Sequence, residues 1–307
     1  MIWRKLGLVF GSSEFSSFST HAQVPTPFVL EDRIRVFYAA RNSSGKSYTT
    51  FVDLDLNDPK KIIYNHKIPI MGFGEQGTFD DEGVMPSFVL KKDSQLWMYY
   101  SGWNQRISIP YHNSTGLAVS SDLGLSFQRM FEGPVMDRTP YEPYLAVTPT
   151  LIQEVDHLKM WYISGIKWTL VEGKYEPVYV IKSANSTDGI AWNRANKQII
   201  PSRHSMEAFS RPTAFKLNGK YHMYFCYRGS HDYRNGSQSY RLGYAQSSDG
   251  EQWERHSKDA TLIGPVEDWE SKMNCYPFYL ETKTNKYIFY NGNGFGQSGF
   301  GVAKLEE

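Results

Sequence analysis

The sequence predicts an all-β chain, a five-bladed β-propeller of four-stranded blades, and three observations carry that expectation. Aromatic residues make up 15% of the 307 residues, with 21 Tyr, 18 Phe and 8 Trp, alongside 25 Gly and 15 Pro. Aromatic and β-branched side chains suit pleated strands, whereas Gly and Pro punctuate them. A proline then recurs before or within an apolar run: Pro25, Pro86, Pro149, Pro212 and Pro277 stand 61, 63, 63 and 65 residues apart. Thirteen residues after each stands an aromatic (Tyr38, Tyr99, Tyr162, Phe225, Tyr290), preceded by Phe37, Met98, Trp161, Tyr224 and Phe289. Two adjacent columns kept in register over five segments mark an internal repeat, one structural unit per period.

Each unit reads as strands in order. The segment after the proline is an apolar strand, and a polar turn such as Asn218-Gly219-Lys220 leads into the Tyr-rich second strand. The third strand ends in a shared turn beginning at Ser120, Ser186 and Ser247, of which the last two carry Asp-Gly (Asp188-Gly189, Asp249-Gly250) for positive φ. The fourth strand carries an aromatic-x-Arg step: Phe127/Arg129, Trp192/Arg194, Trp253/Arg255. The fifth unit runs out of chain after three strands, and residues 3–10 resemble a fourth strand, so the expected architecture is one domain over 1–307. Its blades start near 25, 86, 149, 212 and 277, with residues 3–10 completing the last. No helix is expected.

Thirty-three Lys+Arg against 32 Asp+Glu leave a formal charge of +1, which gives no global attraction to nucleic acid or anionic membrane. Two cysteines, Cys226 and Cys275, exclude a disulfide scaffold and a multi-Cys zinc site. The apolar run near Met1 is short for a secretory signal and no stretch is long enough to span a bilayer, so the expected location is cytoplasmic. No EF-hand, His-Glu-x-x-His or phosphate-loop spacing occurs, and neither a metal nor a cofactor is expected.

In a propeller the first strands line a central channel, so residues just before each proline are expected to face one funnel. Five residues before the prolines stand Thr20, Asp81, Tyr144, Glu207 and Lys272, which sets the carboxylates of units two and four on opposite sides. Asp80, Glu82 and Glu142 lie nearby, whereas Asp268 and Glu270 are expected at the surface. Asp81, Glu207, Glu142 and Asp80 are the candidate catalytic acids, because glycosidic cleavage needs one carboxyl to protonate the leaving oxygen and another to activate water or attack. His21, Arg41, Arg211, Arg228 and Asn274 complete the polar lining, and the arginines suit a phosphate, a nucleotide sugar or an acidic sugar. Trp103 and Trp168, with Phe295 as a weaker candidate, are placed to stack on sugar rings. Tyr111-His112, His204 and the run His231–Arg234 are read as solvated loops.

The rhythm from Pro86 to Gly102 and the turn from Ser247 to Trp253 make the chain resemble, over its whole length, the five-bladed propeller glycosidases. These are glycoside hydrolase families 32, 43, 68 and 130, together with related mannosyl transferases and phosphorylases. The resemblance implies a carbohydrate-active enzyme acting on glycosidic bonds of an oligo- or polysaccharide. Those families usually carry an acid at the start of the first blade, and here Thr20-His-Ala-Gln-Val-Pro25 holds none. What carries over is the second-blade acid, Asp81 or Asp80, and a later glutamate, Glu142 or Glu207. A phosphorylase or glycosyltransferase using phosphate or a sugar nucleotide, and a glycan-binding propeller without catalysis, are the alternative expectations.

Overall fold

The computed structural model describes all residues except 17, 18, 235, 257–259 and 307. After β1 (Ile2–Phe10) the strands fall into antiparallel meanders. The first holds β2 (Gln23–Val29), β3 (Arg33–Arg41), β4 (Ser47–Asp55) and β5 (Ile62–Asn65). The second holds β6 (Gly83–Lys92), β7 (Gln95–Gln105), β8 (Tyr111–Ser120) and β9 (Gln128–Arg129). The third holds β10 (Ala146–Gln153), β11 (Leu158–Val171), β12 (Lys174–Ser186) and β13 (Asn193–Arg194), and the fourth β14 (Ala208–Leu217), β15 (Lys220–Arg228), β16 (Arg241–Ser247) and β17 (Glu254–His256). Beyond β18 (Leu262–Ile263), the last comprises β19 (Cys275–Glu281), β20 (Lys286–Asn291) and β21 (Phe300–Glu306). β1 pairs antiparallel with β21, from Ile2 opposite Glu306 to Phe10 opposite Phe300. β18 adds a parallel edge to β1, a strand the repeat did not predict.

The first strands touch in cyclic order, β2 with β6, β6 with β10, β10 with β14, β14 with β19 and β19 with β2. The core is accordingly divided, with an apolar cluster between each neighbouring pair of meanders and a second, around Cys226 and Cys275, between the fourth and last. Phe37, Met98 and Phe127 pack between the first and second, Tyr99 and Met160 between the second and third, and Trp161 and Phe225 between the third and fourth. Tyr224 and Tyr290 lie between the fourth and last, and Phe10, Tyr38 and Phe289 between the last and first. Both repeat columns noted in the sequence are therefore core.

The Ser-Asp turns join neighbours. In the turn of the fourth meander Ser247 Oγ and the backbone N–H of Glu251 and Gln252 donate to Asp249 Oδ1, while the carbonyls of Asp249 and Gly250 accept from Lys159 and Trp161 of the third. The turn of the third meets the second the same way, through Lys92 to the Asp188 carbonyl and Tyr99 to that of Gly189.

The recurring prolines mark a bulge. In β2, β10, β14 and β19 the residue before the proline has left-handed φ, namely Val24 (52°), Thr148 (49°), Arg211 (43°) and Tyr276 (54°). That residue and its proline together face a single residue of the next strand, Tyr38, Tyr162, Phe225 and Tyr290 in turn. Such a φ costs a non-glycine residue about 1–2 kcal/mol, so four at equivalent positions are a built feature of the chain's axis. The helical content is confined to short turns; the one at Asn293–Gly296 has left-handed Gly294 and Phe295. No helix among the described residues is long and apolar enough to cross a membrane.

Candidate functional site

The bulges converge on a cavity of about 460 Å³ to which the first strands of all the meanders contribute: Val24, Met85, Thr148, Ser210 and Tyr276. Second strands add Arg41, Trp103 and Arg228, and β8 and β12 add Tyr111, Asn113 and Tyr179. Tyr233, Arg234, Tyr240 and Phe295 come from connecting segments. Two broader clefts, of about 640 and 600 Å³, lie away from this convergence, one beside β1 and β21 and the other near the base of the β11–β12 hairpin.

The lining is aromatic and cationic. Tyr111 and Tyr179 share a hydroxyl–hydroxyl bond of 2.6 Å, and Trp103 donates its indole N–H to Ser47 Oγ at 2.7 Å. Arg228 is buried, lies 3.7 Å over the Tyr233 ring, and donates to the carbonyls of Gly229 and Pro177. Arg41 donates through Nε to Gln23 Oε1 at 2.8 Å. Among the described residues no carboxylate belongs to the lining; Glu176, in β12, reaches it only through Tyr233 Oη at 2.6 Å and the Arg234 guanidinium.

The sequence-predicted acids lie elsewhere, and all but one are ion-paired. Asp80 is buried, accepting from Tyr100 Oη at 2.9 Å and Arg129 Nε at 2.8 Å. Glu142 accepts from Tyr162 Oη at 2.7 Å and Ser164 Oγ at 3.0 Å, with Arg194 at 3.6 Å and Lys182 at 3.8 Å. Glu207 takes two parallel bonds of 2.9 Å from Arg255 and one of 2.7 Å from the Arg203 N–H. Glu270, expected at the surface, is instead buried between Lys5, Tyr290 and Asn274. The partners Arg129, Arg194 and Arg255 are the fourth-strand arginines of the repeat, and Lys5 holds the same place after Trp3. Glu207, like Asp80 and Glu142, is thus turned onto the fourth strand of its own meander, and neither it nor Asp81 lines the cavity.

Asp81 differs. It is buried, its Oδ2 accepts the Gly77 N–H at 2.8 Å, and its Oδ1 has no hydrogen-bond partner. Glu82 pairs with Lys46 at 3.1 Å and Asn274 with Glu270, both outside the cavity lining. Arg211 is fully buried off the lining, donating to the carbonyls of Pro25, Pro86 and Ser87 and to Thr26 Oγ1, so it ties three meanders together across the axis. Trp168 stands behind Tyr111, edge to face at 5.2 Å, and does not line the cavity. His21 lies near Arg41, and burial together with that cation lowers its pKa to about 4. Trp103, Arg41, Arg228 and Phe295 are the predicted residues the fold brings together.

Several lining residues escaped the sequence reading. Tyr111 and His112 belong to β8, not to a loop, and buried His112 bonds Asp137 at 2.7 Å. Tyr233 is likewise buried. Val24, Met85, Thr148 and Tyr276 share one signal the sequence did offer, the position immediately before each proline.

No protein-family model matches the chain. Among solved structures it is similar to a glycoside hydrolase, with a TM-score of 0.75 at 16% identity over 99% of this chain and 92% of that one. It is also similar to a thermostable family-43 glycoside hydrolase, with a TM-score of 0.68 at 15% identity over 97% and 93%. A third similar structure, the Bombyx mori GH32 beta-fructofuranosidase, gives a TM-score of 0.65 at 16% identity over 96% of this chain and 63% of that one. At these identities the likeness concerns the fold, which is that of the propeller glycosidases expected from the sequence. In sequence the chain is 33% identical over 309 residues, all of either chain, to two Mycobacterium tuberculosis proteins, Uncharacterized protein Rv1502 and Uncharacterized protein MT1551. An axial cavity framed by proline-marked bulges, the propeller glycosidase fold and end-to-end identity at this level lead to one statement of kinship: the chain belongs to the family of the M. tuberculosis protein Rv1502.

Proposed function

We propose that this chain is a single-domain, five-bladed β-propeller enzyme that acts on a glycosidic bond of a saccharide held in the axial cavity. The observation that carries the reading is the cavity itself: first strands of every meander converge on it, four of their equivalent positions are held at strained or bulged backbone, and its walls are aromatic. Flat rings such as Trp103 and Tyr276 suit the C–H faces of sugars. Of the candidate acids only Asp81 keeps a buried carboxylate oxygen without a hydrogen bond, whereas Asp80, Glu142 and Glu207 are each committed to an arginine; like them it lies off the cavity lining, and it is the acid whose proton-donor role the experiment tests. One observation favours transfer or phosphorolysis over two-carboxylate hydrolysis: among the described residues guanidinium groups line the cavity and carboxylates do not.

The test is turnover of aryl glycosides and oligosaccharides, with and without inorganic phosphate or sugar nucleotides, for the wild type and Asp81→Asn. General acid catalysis contributes roughly 10²–10⁴-fold, so the variant is expected to lose that much activity with its melting temperature kept. Undiminished turnover in Asp81→Asn removes the assigned role. Saturable saccharide binding with no turnover on any donor overturns the enzymatic reading and leaves a glycan-binding propeller.

A further inference from the structure

We infer that the cavity takes a saccharide bearing a negative charge, a carboxylate or a phosphate ester, on the guanidinium of Arg41; the inference rests on the saccharide reading above and names the substrate class for the same site. Arg41 stands half-buried at the end of β3. Its Nε is bonded to Gln23, while its two terminal nitrogens have no hydrogen-bond partner and no carboxylate at ion-pair distance among the described residues. The guanidinium fork therefore opens into the cavity without a counter-charge of its own, and an incoming anion supplies the partner it lacks.

Among the described residues nothing around Arg41 supplies the missing charge. The imidazole of His21 is neutral at neutral pH and so adds no charge of either sign. Tyr111 and Tyr276 are phenols whose pKa values burial pushes up, so they stay protonated. Arg228, farther round the wall, also lacks a carboxylate and is satisfied by carbonyls and the Tyr240 hydroxyl. The field inside the cavity is therefore positive. Neutral groups for sugar hydroxyls stand beside it: Asn113 Oδ1 and Thr148 Oγ1 are both buried without a partner, and both residues line the same cavity. A cation with a free planar fork and two unsatisfied hydrogen-bonding oxygens match an anionic sugar better than a neutral one. The fork accepts carboxylate and phosphate oxygens alike.

The experiment is calorimetric titration of the full chain with matched sets: glucose, galactose and mannose, each as neutral sugar, uronic acid and phosphate ester, with inorganic phosphate as competitor. A charge-assisted pair predicts that a charged member binds about tenfold to a hundredfold tighter than its neutral counterpart, with the advantage shrinking as salt is added. A uronic acid that wins identifies the anion as carboxylate, and a phosphate ester identifies it as phosphate. Arg41→Gln is expected to abolish the advantage and Arg41→Lys to keep part of it, both checked for unchanged circular dichroism. Thr148→Val, should Arg41→Gln not fold, is expected to weaken charged and neutral sugars equally. Equal binding of charged and neutral members, or an advantage that survives in folded Arg41→Gln, overturns the inference. Turnover of neutral glycosides without charge preference does so while leaving the enzymatic reading intact; no sugar bound and no glycoside turned over removes both.

Discussion

Glu207→Gln separates a catalytic from a structural glutamate. Glu207 and Arg255 have side chains only 2% and 8% exposed, joined by two bonds of 2.9 Å, and the guanidinium also packs 4.7 Å from the centre of the Tyr227 ring. Neutralising the carboxylate leaves a buried cation unmatched, which costs about 3–5 kcal/mol. The amide oxygen still accepts one bond, so the lower figure applies, and for a chain of this size it lowers the melting temperature by roughly 5 °C. Adding Arg255→Met removes the stranded charge while keeping a chain against the rings, and the double variant is expected to regain part of that loss. The assay is thermal unfolding by circular dichroism for both single variants and the pair, alongside turnover. An unchanged melting temperature in Glu207→Gln together with lost turnover would refute the structural reasoning and return Glu207 to the reacting groups.

Two further outcomes are expected. Arg211→Met removes the guanidinium that donates to the carbonyls of Pro25, Pro86 and Ser87 and to Thr26 Oγ1 at the axis, and the loss is about 3 kcal/mol, read as a lower midpoint in urea unfolding. Asp249 accepts the N–H groups of Gln252 and Glu251 and the Ser247 hydroxyl, and its carboxyl is held at about 2. Its folded pKa lies below the unfolded value of about 4, so its stabilisation is present above pH 4 and lost as pH falls toward 2. The acid limb of a melting-temperature profile between pH 2 and 6 is expected to be shallower in Asp249→Asn; an identical limb would contradict this.

The repeat was legible because it is carried by core aromatics, whose spacing survives every change in loop length. The column from Phe37 to Phe289 is buried without exception. The site was less legible because a bulge breaks the count of two along each first strand. Counting five residues back from each proline picked out Asp81 and Glu207, yet in four first strands the backbone turns at the residue just before the proline, and it is that column, in Val24, Met85, Thr148 and Tyr276, that reaches the cavity, with Arg211 buried off it. The acids sit at unequal distances before the prolines because each is placed by its arginine, a partner some fifty residues on, whose fourth-strand column was visible but unmatched to them. Tyr111 and Tyr233 were hidden by polar neighbours that read as loop.

The pairing of β1 with β21 has a consequence for the order in which the protein is made. Residues on these strands that bond to each other, such as Arg4 and Glu306, are 302 positions apart. β1 therefore cannot complete its pairing until β21, beyond all the intervening meanders, has been made. A chain that stops short of β21 leaves that edge of β1 unpaired, open to chaperones, proteases and other strands. Burial of that edge waits on β21, so the state of β1 reports whether β21 has been made.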